Sequence, residues 1–158
     1  MFCSTLDTPL GLLIIKAHNE GITFIGFDDD VKENQNELTE LAKLQLQEYF
    51  KGLRTNFNLP LQQIGTEFQQ KVWAELSKIE PGKPISYTKL SKKINNPLSI
   101  RAVASTNGKN KFMIVVPCHR VIGSTGDLVG YAGGLWRKKW LLEHEAQMMN
   151  LGQTTLKF

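Results

Sequence analysis

The sequence predicts a small α/β N-terminal domain over residues 1–62 and a mostly α C-terminal domain of winged helix-turn-helix type over residues 63–158. Three observations carry this. Early in the chain, two apolar runs flank a turn and give way to helical periodicity. Later, two short helical segments lie across a tight turn and are followed by strand-like runs broken by glycine. The charge also divides near the same boundary. Residues 1–60 hold five Lys/Arg against nine Asp/Glu, a net of −4, whereas residues 61–158 hold fourteen against six, a net of +8. A polyanion is attracted to the second part and mildly repelled by the first.

Whole-chain properties narrow the function classes. With 158 residues there is room for a real core. No apolar run is long enough for a membrane span, and no basic-then-apolar leader opens the chain, so an intracellular, cytoplasmic protein with no membrane partner is expected. Cys3 and Cys118 are the two cysteines and make no disulfide framework, which fits a reducing compartment.

The elements follow in order. Leu12-Leu13-Ile14-Ile15 and Ile22-Thr23-Phe24-Ile25 read as a hairpin around His18-Asn19-Glu20-Gly21. Asp28-Asp29-Asp30 is an acidic exit loop whose spacing matches no calcium loop. Leu38, Leu41, Ala42, Gln45 and Tyr49 predict a helix over 34–50, with Gly52 as its stop. Residues 57–61 form a short extended piece. Thr66 and Gln69 make a capping box, and Phe68, Val72, Trp73, Leu76 and Ile79 form the stripe of a helix that Pro81-Gly82 ends. Ser86 caps a short helix with Leu90 and Ile94 inward. Asn95-Asn96-Pro97 turns the chain. A second short helix over 99–107 has Ile100 and Val103 inward and Arg101 outward. Ala102, Ala104, Ser105 and Thr106 are small, so this helix can approach another surface closely, and one projecting arginine suits a minor groove.

After an Asn107-Gly108-Lys109-Asn110 turn, the β-branched run Ile114-Val115-Val116 predicts a buried strand that Pro117 interrupts. Cys118-His119-Arg120 follows it. A thiol is nucleophilic only as the thiolate, and a base or a cation raises that fraction. Adjacent strand side chains point to opposite faces, so adjacency alone does not pair Cys118 with His119. Gly123-Ser124-Thr125-Gly126 turns the chain, Leu128-Val129 returns as a wing, and a last helix runs over 135–146. That helix buries Leu135, Leu141 and Leu142, with Arg137-Lys138-Lys139 outward. The glycines of Tyr131-Ala132-Gly133-Gly134 form no phosphate-loop pattern.

Pro117-Cys118-His119-Arg120-Val121 resembles the active-site signature of the O6-alkylguanine-DNA alkyltransferases. The likeness extends, in family order, to Ile85-Ser86-Tyr87, Arg101-Ala102-Val103, Asn110, Gly130-Tyr131-Ala132-Gly133-Gly134 and Trp140-Leu141-Leu142-Glu143-His144-Glu145. The resemblance implies direct, irreversible, stoichiometric transfer of an alkyl group from O6 of guanine in double-stranded DNA to Cys118, with the target base flipped out. O4 of thymine is left open as a second target. It implies His119 as the base, acting through water, and Glu145 as its orienter. Asn110 braces the turn near the thiol, and Tyr87 donates a hydrogen bond to the leaving base. Arg101, Ala102, Ser105, Tyr87 and Arg120 are expected at the DNA. Val121, Tyr131, Ala132 and Gly133 are expected around the base. No metal and no cofactor are expected, and a monomer is.

Three positions depart from the family pattern: Ala104 where glycine is common, Thr106 where alanine is common, and Lys111 where proline often follows the asparagine. They bear on how the second helix fits a groove more than on the transfer. A sensor of alkylated bases without transfer would not need Cys118, and a Cys-His hydrolase would leave the helix-turn-helix without a role.

Overall fold

The computed structural model describes residues 1–27, 31–94 and 100–150. The chain divides into two compact units, residues 1–63 and residues 64 onward. Asp28, Asp29 and Asp30 lie outside the described residues, as do Asn95-Asn96-Pro97 and Ser99.

The first unit is an antiparallel three-stranded sheet, β1 (Phe2–Thr8), β2 (Gly11–Ala17) and β3 (Ile22–Phe27), in that spatial order. The expected hairpin is therefore β2–β3, and β1 is an added strand, running from Phe2↔Ala17 to Thr8↔Gly11. Its polar Ser4 hides the strand pattern. Ser4 is buried with its Oγ 2.9 Å from both Thr39 Oγ1 and Glu40 Oε2. Leu13, Ile14 and Ile15 of the central strand are all buried, and the strand is paired on both edges. Gly21 is needed for a close approach: a Cβ there would stand 2.9 Å from Pro60 O. Across that gap Ile22 N–H donates to Pro60 O and accepts Gln62 N–H at its own carbonyl, which is how the extended piece at Leu61 docks.

Helix α1 (Glu37–Phe50) packs on β1 and β2. Asn36 caps it, accepting Thr39 N–H at 2.9 Å while its own N–H donates to Thr39 Oγ1 at 3.0 Å. The helix starts later than expected because Asn36 is extended. Its buried face is Thr39, Ala42, Gln45, Leu46 and Tyr49, whereas Leu41 is 39% exposed. The end is a Schellman motif. Gly52 has φ +77, Leu53 N–H donates to Glu48 O, and Gly52 N–H donates to Tyr49 O.

In the second unit, α2 (Glu67–Leu76) starts at the expected capping box, with Gln69 N–H on Thr66 Oγ1 and Thr66 N–H on Gln69 Oε1. It ends at Leu76, before Pro81, and Ile79 is still buried in the turns that follow. Two-residue strands β4 (Ile85–Ser86) and β5 (Val121–Ile122) pair in parallel. Helix α3 (Tyr87–Lys93) has Ser86 as N-cap. Helix α4 (Ile100–Gly108) packs on α3 and α2, the expected helix-turn-helix pair. It buries Val103, Thr106 and Asn107, while Ile100, expected inward, is 41% exposed. Asn107, expected both as the last residue of this helix and as the first of the turn after it, lies inside the helix.

Two further expectations change. In the Ile114-Val115-Val116 run Ile114 and Val116 are buried and Val115 is half-buried, but the run is not a strand: residues 113–115 form a turn, and a single 3₁₀ turn, Cys118–Arg120, follows. Leu128 and Val129 carry no strand, because the carbonyls of Val129 and Gly130 bind the side chain of Lys138 instead. That lysine sits on the last helix, α5 (Leu135–Met148), and is fully buried rather than outward. Leu135, expected inside, is 48% exposed. Helical phase explains both: Lys138, Leu141, Leu142 and Glu145 share one face at i, i+3, i+4 and i+7. Among the described residues no helix is long and apolar enough to cross a membrane.

Candidate active site

Asn110 organises the turns before the thiol. Its Nδ2 donates to Phe112 O (3.2 Å), Val116 O (2.8 Å) and Cys118 Sγ (3.2 Å), and its Oδ1 accepts Phe112 N–H (3.0 Å). One side chain thus satisfies backbone groups that a strand ladder would otherwise pair. Within this braced segment Ile114 takes φ +74. A β-branched residue in the left-handed region costs about 1–3 kcal/mol, so the surrounding bonds must hold it there. Pro117 (φ −80, ψ 63) is the centre of an inverse γ-turn, with Cys118 N–H on Val116 O. The proline ring already fixes φ near this value. The result is a thiol on a rigid corner, 4% exposed.

The 3₁₀ turn then separates the next two side chains. His119 is fully buried with Nε2 2.8 Å from Glu145 Oε2. Its Nδ1 is buried with no protein partner, so it is the nitrogen left to accept a proton. Arg120 was expected at the DNA. Instead it is 5% exposed and holds Glu145 in a two-pronged pair, Nε to Oε1 and Nη2 to Oε2, both 2.8 Å. Its Nη1 donates to Ile79 O at 2.7 Å, tying α5 to the chain beyond α2. Three donors leave this guanidinium little for a phosphate.

The electrostatics follow from burial and partners. Burial pushes the Cys118 thiol up, against the Asn110 hydrogen bond and the Lys138 charge, which pull it down. Burial also lowers His119, outweighing the Glu145 charge beside it. Burial opposes ionisation of Glu145 too, but His119 and Arg120 together hold its carboxyl well below the usual range. At neutral pH the resting site is therefore a protonated thiol, a neutral imidazole and a carboxylate. Lys138 is lowered to about 8 by burial, with the Cys118 charge acting to raise it. Its Nζ donates to Val129 O (2.7 Å) and Gly130 O (3.1 Å) and lies 5.9 Å from the Tyr87 ring centre. The sequence pattern had hidden this lysine in a basic triplet.

A cleft of about 310 Å³ opens beside these groups, lined by Tyr87, Ala104, Asn107, Gly130, Tyr131 and Ala132 among others. Tyr87, Tyr131 and Ala132, expected near the base, thus share one cleft. Val121 is buried in β5, and neither it nor Gly133 lines the cleft. Gly133 supports it from behind: a Cβ there would meet Tyr131 at 2.9 Å and Arg137 at 3.3 Å. Burial pushes the Tyr87 phenol up, and an Asn107 hydrogen bond partly offsets this. Burial pushes Tyr131 much further. On α4, Arg101, Ala102 and Ser105 are exposed together. Of the three departures, Ala104 lines the cleft, Thr106 is buried and Lys111 is exposed. Among the described residues no three His, Cys, Asp or Glu gather as a metal site.

A rigid, buried thiol next to a His–Glu pair, in one unit with a helix-turn-helix and an open cleft, defines a protein that performs cysteine chemistry on a ligand its helices can dock. Comparison with known proteins makes this specific. The 6-O-methylguanine DNA methyltransferase ribonuclease-like domain matches residues 1–63, and the DNA binding domain of the same name matches residues 67–147. The constitutive methylated-DNA–protein-cysteine methyltransferase of Bacillus subtilis is 47% identical over 145 residues, covering 84% of this chain and 87% of its own. The methylated-DNA–protein-cysteine methyltransferase of Mycobacterium leprae is 41% identical over 150 residues, covering 90% and 91%. The crystal structure of Mycobacterium tuberculosis OGT in complex with DNA aligns with a TM-score of 0.86 at 38% identity over 94% of both chains. The chain belongs to the 6-O-methylguanine DNA methyltransferase family.

Proposed function

We propose that this protein repairs double-stranded DNA by moving an alkyl group from O6 of guanine to its own Cys118, once per chain. The observation that carries the reading is the ordered set at the corner. A thiol braced by Asn110 precedes a neutral His119 whose Nδ1 has no protein partner, and whose Nε2 is fixed by Glu145. A water between Cys118 and Nδ1 relays the thiol proton to the imidazole. Sulfur attacks the alkyl carbon, the carbon–O6 bond breaks, and its electron pair leaves with guanine. Guanine ends with one proton gained and Cys118 with one lost, so charge balances across the transfer. Tyr87 donates a hydrogen bond to the departing base, and the positive Lys138 favours the thiolate as it forms. The product is a thioether with no return path, which makes the protein its own spent reagent.

The cleft takes the extruded base. Flipping costs a few kcal/mol, which cleft contacts and a side chain inserted in the stack must offset. Arg101 is the side chain assigned to that insertion, a reading supported by its exposure on α4 together with the small Ala102 and Ser105. Arg120 is withdrawn from the DNA-contacting set and assigned to holding Glu145. A protein of this activity works where duplex DNA is present.

The test is to incubate a duplex carrying one O6-methylguanine with limiting protein and quantify the bases after digestion. The expected result is restored guanine equal in amount to the protein added. Restoration well beyond that amount would mean a hydrolase, and unchanged O6-methylguanine with tight duplex binding would mean a sensor.

A further inference from the structure

Asn107 received no role from the sequence, yet its amide bonds both Tyr87 and the backbone of Cys118. Nδ2 donates to Tyr87 Oη at 3.1 Å and to Cys118 O at 3.2 Å. The side chain lines the cleft and is 4% exposed. Its Oδ1 is buried with no partner. An amide has two N–H donors and one carbonyl acceptor, and these contacts use both donors.

The direction of the amide is fixed by chemistry. Cys118 O is a carbonyl and only accepts, so the NH₂ end must face it. The second N–H then meets Tyr87 Oη, which must accept there. Tyr87 therefore cannot give its own proton to Asn107, and that proton turns elsewhere, toward the cleft that Tyr87 lines. A flipped amide would let Oδ1 accept the Tyr87 proton, but would set two carbonyl oxygens against each other at Cys118. The fold instead leaves Oδ1 unpaired, and a buried polar atom without a partner needs a reason. Donation from Asn107 also favours the ionised phenol, which makes Tyr87 a better donor.

Resting on the alkyl-transfer reading above, we propose that Asn107 is a positioning residue. It aims the Tyr87 proton at the leaving base, and its donation to the Cys118 carbonyl fixes the direction in which the amide faces.

The experiment measures single-turnover transfer from an O6-methylguanine duplex, together with duplex affinity and thermal midpoint. The proteins compared are wild type, Asn107→Ala, Asn107→Asp, Tyr87→Phe and the double variant Asn107→Ala/Tyr87→Phe. Asn107→Ala is expected to slow transfer roughly tenfold, the factor that one ordinary hydrogen bond supplies, with duplex affinity within about threefold of wild type. Asn107→Asp preserves shape but presents only acceptors, so it pulls the Tyr87 proton away from the base and is at least as slow. In the Tyr87→Phe background, Asn107→Ala adds little further loss, because the two act as one unit.

Losses that multiply in the double variant would overturn the inference, as would an unchanged rate in Asn107→Ala or a loss confined to duplex affinity. The double variant separates positioning from folding, because a merely structural loss in Asn107→Ala is carried undiminished into the Tyr87→Phe background. If Asn107→Asp melts early yet transfers at the wild-type rate, the inference also falls. A wild-type protein that transfers no methyl at all would overturn the function proposed above instead.

Discussion

The two units are built on opposite terms. In the first, the buried polar side chains among the described residues are Ser4, Thr39 and Gln45, all uncharged: Ser4 bonds the Thr39 and Glu40 side chains, Thr39 belongs to the α1 capping box, and Gln45 bonds the Asn58 backbone. In the second, the buried set includes His119, Arg120, Lys138 and Glu145, with Asn107 and Asn110 around them. Burying ions costs several kcal/mol each before their partners compensate, so such a cluster is poor scaffolding. The second unit thus gives up stability to hold one thiol, one base and one cation in place, and the first unit gives up nothing comparable.

The largest expected break in this contrast comes from Glu145→Gln. It leaves Arg120 buried with its two-pronged partner gone and His119 without an orienter. The account predicts a loss of about 3–5 kcal/mol in unfolding free energy by denaturant titration. It also predicts at least a hundredfold slower transfer. An unchanged rate would remove Glu145 from the relay. Lys138→Met separates the two effects: an apolar side chain of similar length relieves a buried charge while freeing the Val129 and Gly130 carbonyls. Stability is expected to stay within about 1–2 kcal/mol, while transfer slows roughly tenfold. Equal rates in single-turnover assays would show that the charge does not matter to the thiol.

Acid sharpens the same contrast. His119 is held neutral in the fold, so the unfolded chain binds the extra proton first, and stability falls as pH drops below about 6.5 toward its depressed folded value. Glu145 is held ionised, so its contribution is present above about 4.5 and is lost as pH falls further toward its own depressed value. Hydrogen exchange followed down this range should show the second unit opening before the first. Simultaneous opening would contradict the difference drawn between them. The smallest effect belongs to the first unit: Asn36→Ala removes the α1 cap and should cost about 1 kcal/mol in a thermal melt. The transfer rate should not change.

Legibility in the sequence followed the same division. Caps and stops were readable because each is a local bond: Thr66 with Gln69, Ser86 with Lys89, and Gly52 after α1. The β2–β3 hairpin was readable from its two apolar runs. The candidate site residues Cys118, His119, Glu145, Asn110 and Tyr87 come from a motif likeness spread over the second unit, not from periodicity. What stayed hidden depends on contacts distant in sequence. Ile114-Val115-Val116 reads as a strand because its composition is that of a strand, whereas the Asn110 side chain takes up the Phe112 and Val116 backbone groups around it. Arg120 read as a DNA contact because nothing local reveals a carboxylate 25 residues away. Lys138 was recoverable from helical phase with Leu141, Leu142 and Glu145, but the flanking Arg137 and Lys139 made it look solvated. Asn107 stands at the expected end of a helix beside Gly108, and only the fold brings it to Tyr87 and Cys118.

The most direct measurement of the central claim is the mass of the protein after reaction with excess O6-methylguanine duplex, followed by peptide mapping. The account predicts a gain of one methyl group per chain, located on Cys118, and no gain in Cys118→Ala. A methyl group on Cys3 or on any other residue, or repair without any gain in mass, would contradict it.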